Sequence, residues 1–395
     1  MKIGLVNLIT KTADLQADGS ILNARLTMGD DSDLNIVEMG RRLNARGHDV
    51  TIFISDAYRP RRSASREGLR IEYLPTRLSW MFPPSLAPFT PALSRRLRQA
   101  DLDVVQSGEV FQLGTCLTWS ATRRPETKMY IWQELDVLMR GPAGWWQRRF
   151  YSSLGKKIAE GCAAIIPRSR SAHRHLVESG MAENKMAPVV HSGVDTMLFR
   201  PMNKAESRQR FDLEEDRNII LSIGRLHTNK GMDTLVRAMC RVRSSDPDAL
   251  LIIKGTGPEE ANLRYMVNAM GLQDNVMVIS EILDRKDMAL LYNCADLLAV
   301  ASRVDLFPFT AIEAISCGIP VATAFGRGLR TDIVEQGAGV MIRKDPDDMA
   351  ADIIALLENP VRLDILGREA RELALRDFDH EVAADRLVEI YGGVE

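Results

Sequence analysis

Two carboxylates, Asp305 and Glu313, stand eight positions apart in the stretch SRVDLFPFTAIEAISCGIPVATA, residues 302–324. Phe307-Pro308-Phe309-Thr310 lies between them, and an apolar, strand-like run flanks the stretch on each side, at 296–300 and 320–324. Two readings fit such a pair: one surface acid plus one helix-end acid, or two acceptors for the hydroxyls of a ligand. If a helix opens at Phe309, its first N–H groups lack partners and can hold phosphate oxygens, with the Thr310 hydroxyl as a further donor. Glu313, one turn in, can then accept from both hydroxyls of a vicinal diol such as a ribose. Asp305, at the strand end, would face whatever hangs from the distal phosphate.

A second set follows the run 218–223, as Gly224-Arg225-Leu226-His227-Thr228-Asn229-Lys230-Gly231. Arg225 and Lys230, five apart at a strand-to-helix junction, offer a donor fork and a point charge to a diphosphate; two solvated surface cations is the other reading. His227 reads as a loop residue rather than a base. Gly255-Thr256-Gly257-Pro258, after the run 250–254, reads as a tight turn, without the third glycine and downstream acid of a dinucleotide fingerprint. The acidic clusters GDDSD (29–33) and DLD (101–103) have metal-binding residue types. The cations already bring the charge that a metal would supply, so none is expected.

These residues need elements to hold them. A chain of 395 residues suits two domains rather than one core. The formal net charge of −2 excludes the basic balance that nucleic-acid binding calls for. Five scattered cysteines (Cys116, Cys162, Cys240, Cys294, Cys317) read as buried reduced thiols. The N-terminus begins as a strand with no secretory region, and no apolar run reaches the roughly 18 residues of a membrane span, so a cytoplasmic protein is expected. Strands are predicted at 2–7, 49–54, 103–106, 128–132 and 163–167, then at 218–223, 250–254, 276–279, 296–300 and 320–324. Their apolar runs are continuous rather than alternating, as strands covered on both faces require. Helical patterns fit between them; one over 33–46 stops at Gly47. The result is an α/β protein with two doubly wound sheets, joined by a polar linker near 195–215. Ligands in such folds sit beyond the carboxyl ends of the strands, where both sets of residues fall.

At this point the chain resembles family 4 of the retaining glycosyltransferases, the glycosyl transferases group 1. The hallmark is an acid, seven residues, then Glu-Ala, here Asp305 to Glu313-Ala314. GRLHTNKG, HSGVDTMLFRP, RLNARGHDVTIF and LLYNCADLLAVASRVD resemble further segments of that family, in the same order along the chain. The resemblance implies a GT-B fold: two Rossmann-like domains facing across a cleft, with residues 1–200 binding the acceptor and 201–374 the nucleotide sugar. A final helix, about 375–395, is expected to pack back on the first domain.

The resemblance also implies roles. Arg225 and Lys230, with Gly224 and Gly255 beside them, would bind the donor diphosphate. Glu313 would hold the ribose, Asp305 the donor sugar, and Phe309 and Thr310 would give backbone donors. The main chain of Ile282 would read the base. The chain departs from the family at Asp305, where Glu is usual, and at Pro308, which stands for Gly and removes an N–H. In the first domain Asp30-Asp31 stand where Gly-Gly is frequent. Gln106, Glu109, Gln133 and Glu134 replace frequent histidines. Asp30, Asp31, Glu109, Gln133 and Glu134 are therefore the candidates for meeting sugar or acceptor.

The implied reaction is metal-independent, retaining transfer of a sugar from a UDP- or GDP-linked donor to a hydroxyl acceptor, in bacterial glycan, polysaccharide or glycolipid synthesis. No cofactor beyond the co-substrate is expected. A sugar-nucleotide 2-epimerase of the same fold and a non-catalytic sugar-nucleotide-binding partner are the alternatives. RLSWMFPPSLAPF (77–89) and GWWQRRFYSSLGKK (144–157) combine aromatics with cations. They fit either packing under a basic loop or the headgroup layer of an anionic membrane carrying a lipid-linked acceptor. A glycan or a small molecule is the acceptor otherwise expected.

Overall fold

The structure, a computed structural model, describes residues 1–9, 35–59, 68–82, 87–124, 126–138, 141–303 and 307–393. It divides into two compact units, Met1–Ser192 with His380–Glu395, and Gly193–Asp379. The first holds strands β1 (Lys2–Val6), β2 (Asp49–Ser55), β3 (Arg70–Leu74), β4 (Val104–Gly108), β5 (Lys128–Gln133) and β6 (Ala164–Pro167). The second holds β7 (Ile219–Ile223), β8 (Leu250–Lys254), β9 (Val276–Ile279), β10 (Leu297–Val300), β11 (Val321–Thr323) and β12 (Gly339–Met341).

Both sheets are parallel and share one order, β3-β2-β1-β4-β5-β6 and β12-β11-β10-β7-β8-β9. The protein is therefore α/β, with two doubly wound Rossmann-like units. Alternate residues of one strand serve different cores: Ile219 and Leu221 of β7 pack on one face of their sheet, Ile220 on the other. A strand with both faces covered has little room for polar residues, which is why these segments read as mostly apolar runs.

The edge strands β3 and β12 are absent from the strands expected above. In RIEYL only Ile71 and Leu74 are buried, and GVM has three residues with one buried. These two edge strands lack one neighbour and much of their cover, so their sequences lose the apolar signature.

The expected linker is not open chain. Lys204–Gln209 is a helix, and Arg208, only 2 % exposed, donates through Nε to Cys294 O at 3.0 Å and through its guanidinium to Asp296 at 3.0 Å. These contacts draw the segment into the second unit, which begins at Gly193 rather than 201. The unit ends at Asp379 rather than 374, because Val194 N donates to Phe378 O at 2.7 Å and Thr196 bonds Asp379. The helix His380–Gly392 belongs to the first unit. Arg46, just past the helix Asn35–Ala45, donates to Asp385 at 2.7 Å, and Tyr391 OH donates to Gln106 Oε1 at 2.6 Å. Of the cysteines, Cys162, Cys294 and Cys317 are buried, whereas Cys116 and Cys240 are half-buried.

Candidate functional site

In the second sheet the strand order reverses between β7 and β10, so the loops leaving these strands diverge and open a crevice at their carboxyl ends. The loop after β7 is spliced to the loop after β8. Gly224 N donates to Lys254 O at 3.0 Å and Leu226 N to Thr256 O at 2.9 Å. A Cβ at Gly255 would collide with Gly224 O, and one at Gly257 with Leu226 O. The Gly-Thr-Gly segment thus serves a close approach of two backbones, more than the tight turn that its sequence suggests. Leu226 is fully buried and Arg225 beside it is exposed. Anchoring the leucine presents the guanidinium outward.

The turn Thr228–Lys230 follows, capped by His227, whose Nδ1 accepts from Asn229 N at 3.4 Å. Gly231 has φ +66°, and a Cβ there would strike Ala301 O, just past the end of β10. The two loops therefore meet across the reversal point. Arg303 stitches them further: its N–H donates to Asn229 O at 2.7 Å, and its guanidinium reaches Thr228 O and Asp233. Its number alone gave no sign of this, since a lone arginine after a strand carries no pattern.

Asp305 lies outside the described residues. Phe307 and Pro308 are half-buried, and the helix Phe309–Ser316 starts from Pro308 without a side-chain cap. Ala311 N closes a turn onto Pro308 O at 3.1 Å, which leaves Phe309 and Thr310 to present the first N–H groups of the helix. Glu313, half-buried one turn in, accepts from Tyr292 OH at 2.6 Å. Burial pushes the Glu313 carboxyl up, opposed by the Tyr292 bond and the charge of Arg285. Burial also drives Tyr292 well above its ordinary value, so the phenol keeps its proton and donates. Tyr292 thereby joins the candidate site, although its sequence pattern suggested no role for it. Ile282 stands 96 % exposed in the loop after β9.

Asp30 and Asp31 also lie outside the described residues. The other first-unit candidates come together beyond β4 and β5. Glu109 is 8 % exposed and has φ +54°, a left-handed conformation that costs a non-glycine residue of order 1 kcal/mol. Its Oε1 accepts from Glu134 N at 2.8 Å and Leu135 N at 3.2 Å. Gln133, fully buried, answers in reverse: Oε1 accepts from Val110 N at 3.0 Å and Nε2 donates to Leu135 O at 3.1 Å. The two loops are cross-stapled by each other's side chains. Burial pushes the Glu109 carboxyl up to about 8, against the Leu135 hydrogen bond and the pull of Arg168.

Arg168, unnoticed in the sequence, lies over the Trp132 ring at 4.5 Å and bonds the exposed Glu134 carboxylate and Ser192. On the same unit Trp80 is 78 % exposed, and Trp145 and Trp146 are 55 % and 62 % exposed on the helix Gly141–Phe150. Arg148 and Arg149 on that helix, and Lys156 and Lys157 further along the chain, are exposed. Among the described residues no helix is long and apolar enough to cross a membrane.

Two family models match the chain: "Glycosyl transferases group 1" over residues 203–373 and "Glycosyl transferase 4-like domain" over 35–190. Among curated proteins, a D-inositol 3-phosphate glycosyltransferase of Segniliparus rotundus is 33% identical over 242 residues, 60% of this chain and 53% of that protein. One of Thermobispora bispora is 30% identical over 246 residues, 60% of this chain and 57% of that protein. The matched stretch thus spans little more than half the length of these relatives. Among solved structures, Anabaena HepE in complex with UDP superposes with a TM-score of 0.74 at 14% identity, covering 100% of both chains. Sucrose-phosphate synthase of Thermosynechococcus elongatus does so with a TM-score of 0.72 at 21% identity, covering 99% of this chain and 98% of that one. The paired Rossmann-like sheets and the two matched domains agree, and the chain belongs to glycosyltransferase family 4, the group 1 glycosyl transferases of GT-B fold.

Proposed function

We propose that this protein is a retaining glycosyltransferase that moves a sugar from a UDP- or GDP-linked donor to a hydroxyl acceptor, in bacterial glycan, polysaccharide or glycolipid synthesis. One observation carries the reading. At the β7/β10 reversal, a loop bearing Arg225 and Lys230 abuts a loop leading to an uncapped helix start and the half-buried Glu313. Cations and open N–H groups suit a diphosphate, and a carboxylate one turn further suits the hydroxyls of a ribose.

In this reading Arg225 and Lys230 stabilise the departing diphosphate, Phe309 and Thr310 give it backbone donors, and Gly224 and Gly255 let the main chain come close. Glu313 holds the ribose, Asp305 the donor sugar, and the Ile282 main chain the base. The leaving charge is met by protein groups, so the reaction needs no metal and no cofactor beyond the co-substrate. Front-face attack by the acceptor retains the anomeric configuration without a protein nucleophile. Glu109, Gln133 and Glu134, with Asp30 and Asp31, would line the sugar or acceptor side.

The UDP bound to HepE supports a uridine donor. The activity for which the similar D-inositol 3-phosphate glycosyltransferases are named makes a phosphorylated polyol the first soluble acceptor to assay. The exposed tryptophans and their neighbouring cations favour a cytoplasmic protein held at the inner face of an anionic membrane, where a lipid-linked acceptor would be met.

Incubation with UDP- and GDP-sugars plus each acceptor class tests the reading. A glycosylated product supports it. An epimerised sugar nucleotide would make the protein a 2-epimerase, and tight nucleotide binding without turnover a non-catalytic partner.

A further inference from the structure

β8 reads Leu-Leu-Ile-Ile-Lys, and its last residue, Lys254, is 7 % exposed. A lysine is seldom buried in a sheet unless its ammonium is engaged, because desolvating the charge is costly. Here Nζ donates to the main-chain oxygen of Glu281 at 2.5 Å, in the loop after the neighbouring strand β9. Burial lowers the Lys254 pKa, and the Glu281 charge opposes that shift.

The same loop is braced from the other side. Ser280 Oγ bonds the Glu260 carboxylate, and Arg264 donates to Glu260 Oε1 at 3.1 Å and to Ser280 Oγ at 3.2 Å. One residue beyond Leu283, Asp284 caps the helix Arg285–Cys294 by accepting from Lys286 N at 2.9 Å and Asp287 N at 2.8 Å. Between these anchors Ile282 is 96 % exposed. The fold fixes the backbone on both sides of an apolar tip that nothing in this unit covers.

The peptide geometry says what is being aimed. No cis peptide occurs among the described residues, and in a trans peptide the C=O and the following N–H point in opposite directions. With the Glu281 carbonyl turned in to a buried ammonium, the Ile282 N–H is turned out. An outward N–H donor meets an acceptor. Uracil and guanine present an oxo group at the base edge where adenine and cytosine present an amino donor.

We propose that Lys254 is a positioning residue that sets base selectivity, orienting the Ile282 N–H so that the donor site favours nucleotides whose base carries an oxo acceptor. This rests on the donor-site reading above and adds to it a residue and a direction of preference. The ammonium acts through the Glu281–Ile282 peptide and does not touch the nucleotide.

Dissociation constants for UDP, GDP, CDP and ADP, measured by calorimetry on the full chain and on Lys254→Met, test the proposal. The wild type is expected to bind UDP or GDP about tenfold more tightly than CDP or ADP, the worth of one well-placed hydrogen bond over a donor–donor clash. Lys254→Met should retain diphosphate binding while the ratio falls towards one; a loss that is equal for all four bases would mark a merely structural role and overturn the proposal. If Lys254→Met does not fold, Ile282→Pro, which removes the N–H at an exposed position, decides: an unchanged ratio overturns the proposal, and a collapsed one supports it. A wild type that binds all four equally overturns the selectivity alone. A wild type that binds none overturns the donor-site reading as well.

Discussion

Tyr292 donates its phenolic hydrogen to Glu313 Oε2 at 2.6 Å, from a ring that is fully buried on the neighbouring helix and packed edge-on to Phe199. The bond occupies one carboxylate oxygen and fixes the plane of the group, so that the other oxygen is held in a set direction at the helix start. A carboxylate oriented in this way loses little entropy when it accepts from a diol.

Glu313→Gln is therefore expected to weaken nucleoside diphosphate binding by about 1–3 kcal/mol, the worth of hydrogen bonds to a charged group. Tyr292→Phe removes a bond that holds the Glu313 pKa down. The carboxyl then rises further, so donor affinity should fall more as pH is lowered and recover as pH rises. Calorimetry across pH checks both; unchanged affinity in Glu313→Gln would take the residue out of the site.

Lys230 should matter more as the glycosidic bond breaks than when substrate first binds. Lys230→Ala is expected to lower kcat as well as raise KM, on the order of 100-fold in kcat/KM. Steady-state kinetics separate this from uniform binding, which would change KM alone.

Glu109 links the first unit to pH. Its folded pKa is raised to about 8, above the ordinary carboxyl value of 4.5, so the folded state holds a proton that the unfolded state has lost. Stability should accordingly fall as pH rises through that window. Glu109→Gln, which keeps the shape and cannot ionise, should flatten the decline in thermal midpoint. An equally steep decline in the variant would assign the pH dependence to other groups.

Trp145 and Trp146 pack edge to face at 4.7 Å between ring centres, and the stretch 148–157 that follows them holds four exposed cations. Near an anionic bilayer each cation contributes about 1 kcal/mol. Replacing both tryptophans with Ala should reduce co-sedimentation with anionic liposomes, and added salt should weaken it further by screening. Wild-type protein that stays in the supernatant at low salt would shift the acceptor to a soluble one.

The sequence by itself determined the fold class and singled out the loops after β7 and β10, because both rest on short-range signals. A strand buried on both faces must be largely apolar, and a loop suited to phosphate must carry its cations and glycines within a few residues of a strand end. Arg225, Lys230 and Glu313 were legible as candidates for that reason. Tertiary structure alone decided what depends on pairing across the chain. Gly255 and Gly257 look like turn formers until Gly224 O and Leu226 O are seen against them. Lys254 looks like the polar end of a strand until Glu281 O, 27 positions away, is found at its ammonium. Arg168 and Glu109 carry no local pattern; what gives each its character is a burial and a set of partners supplied by other strands. The edge strands β3 and β12 escaped notice for the converse reason: RIEYL and GVM bury too few of their residues to record a strand.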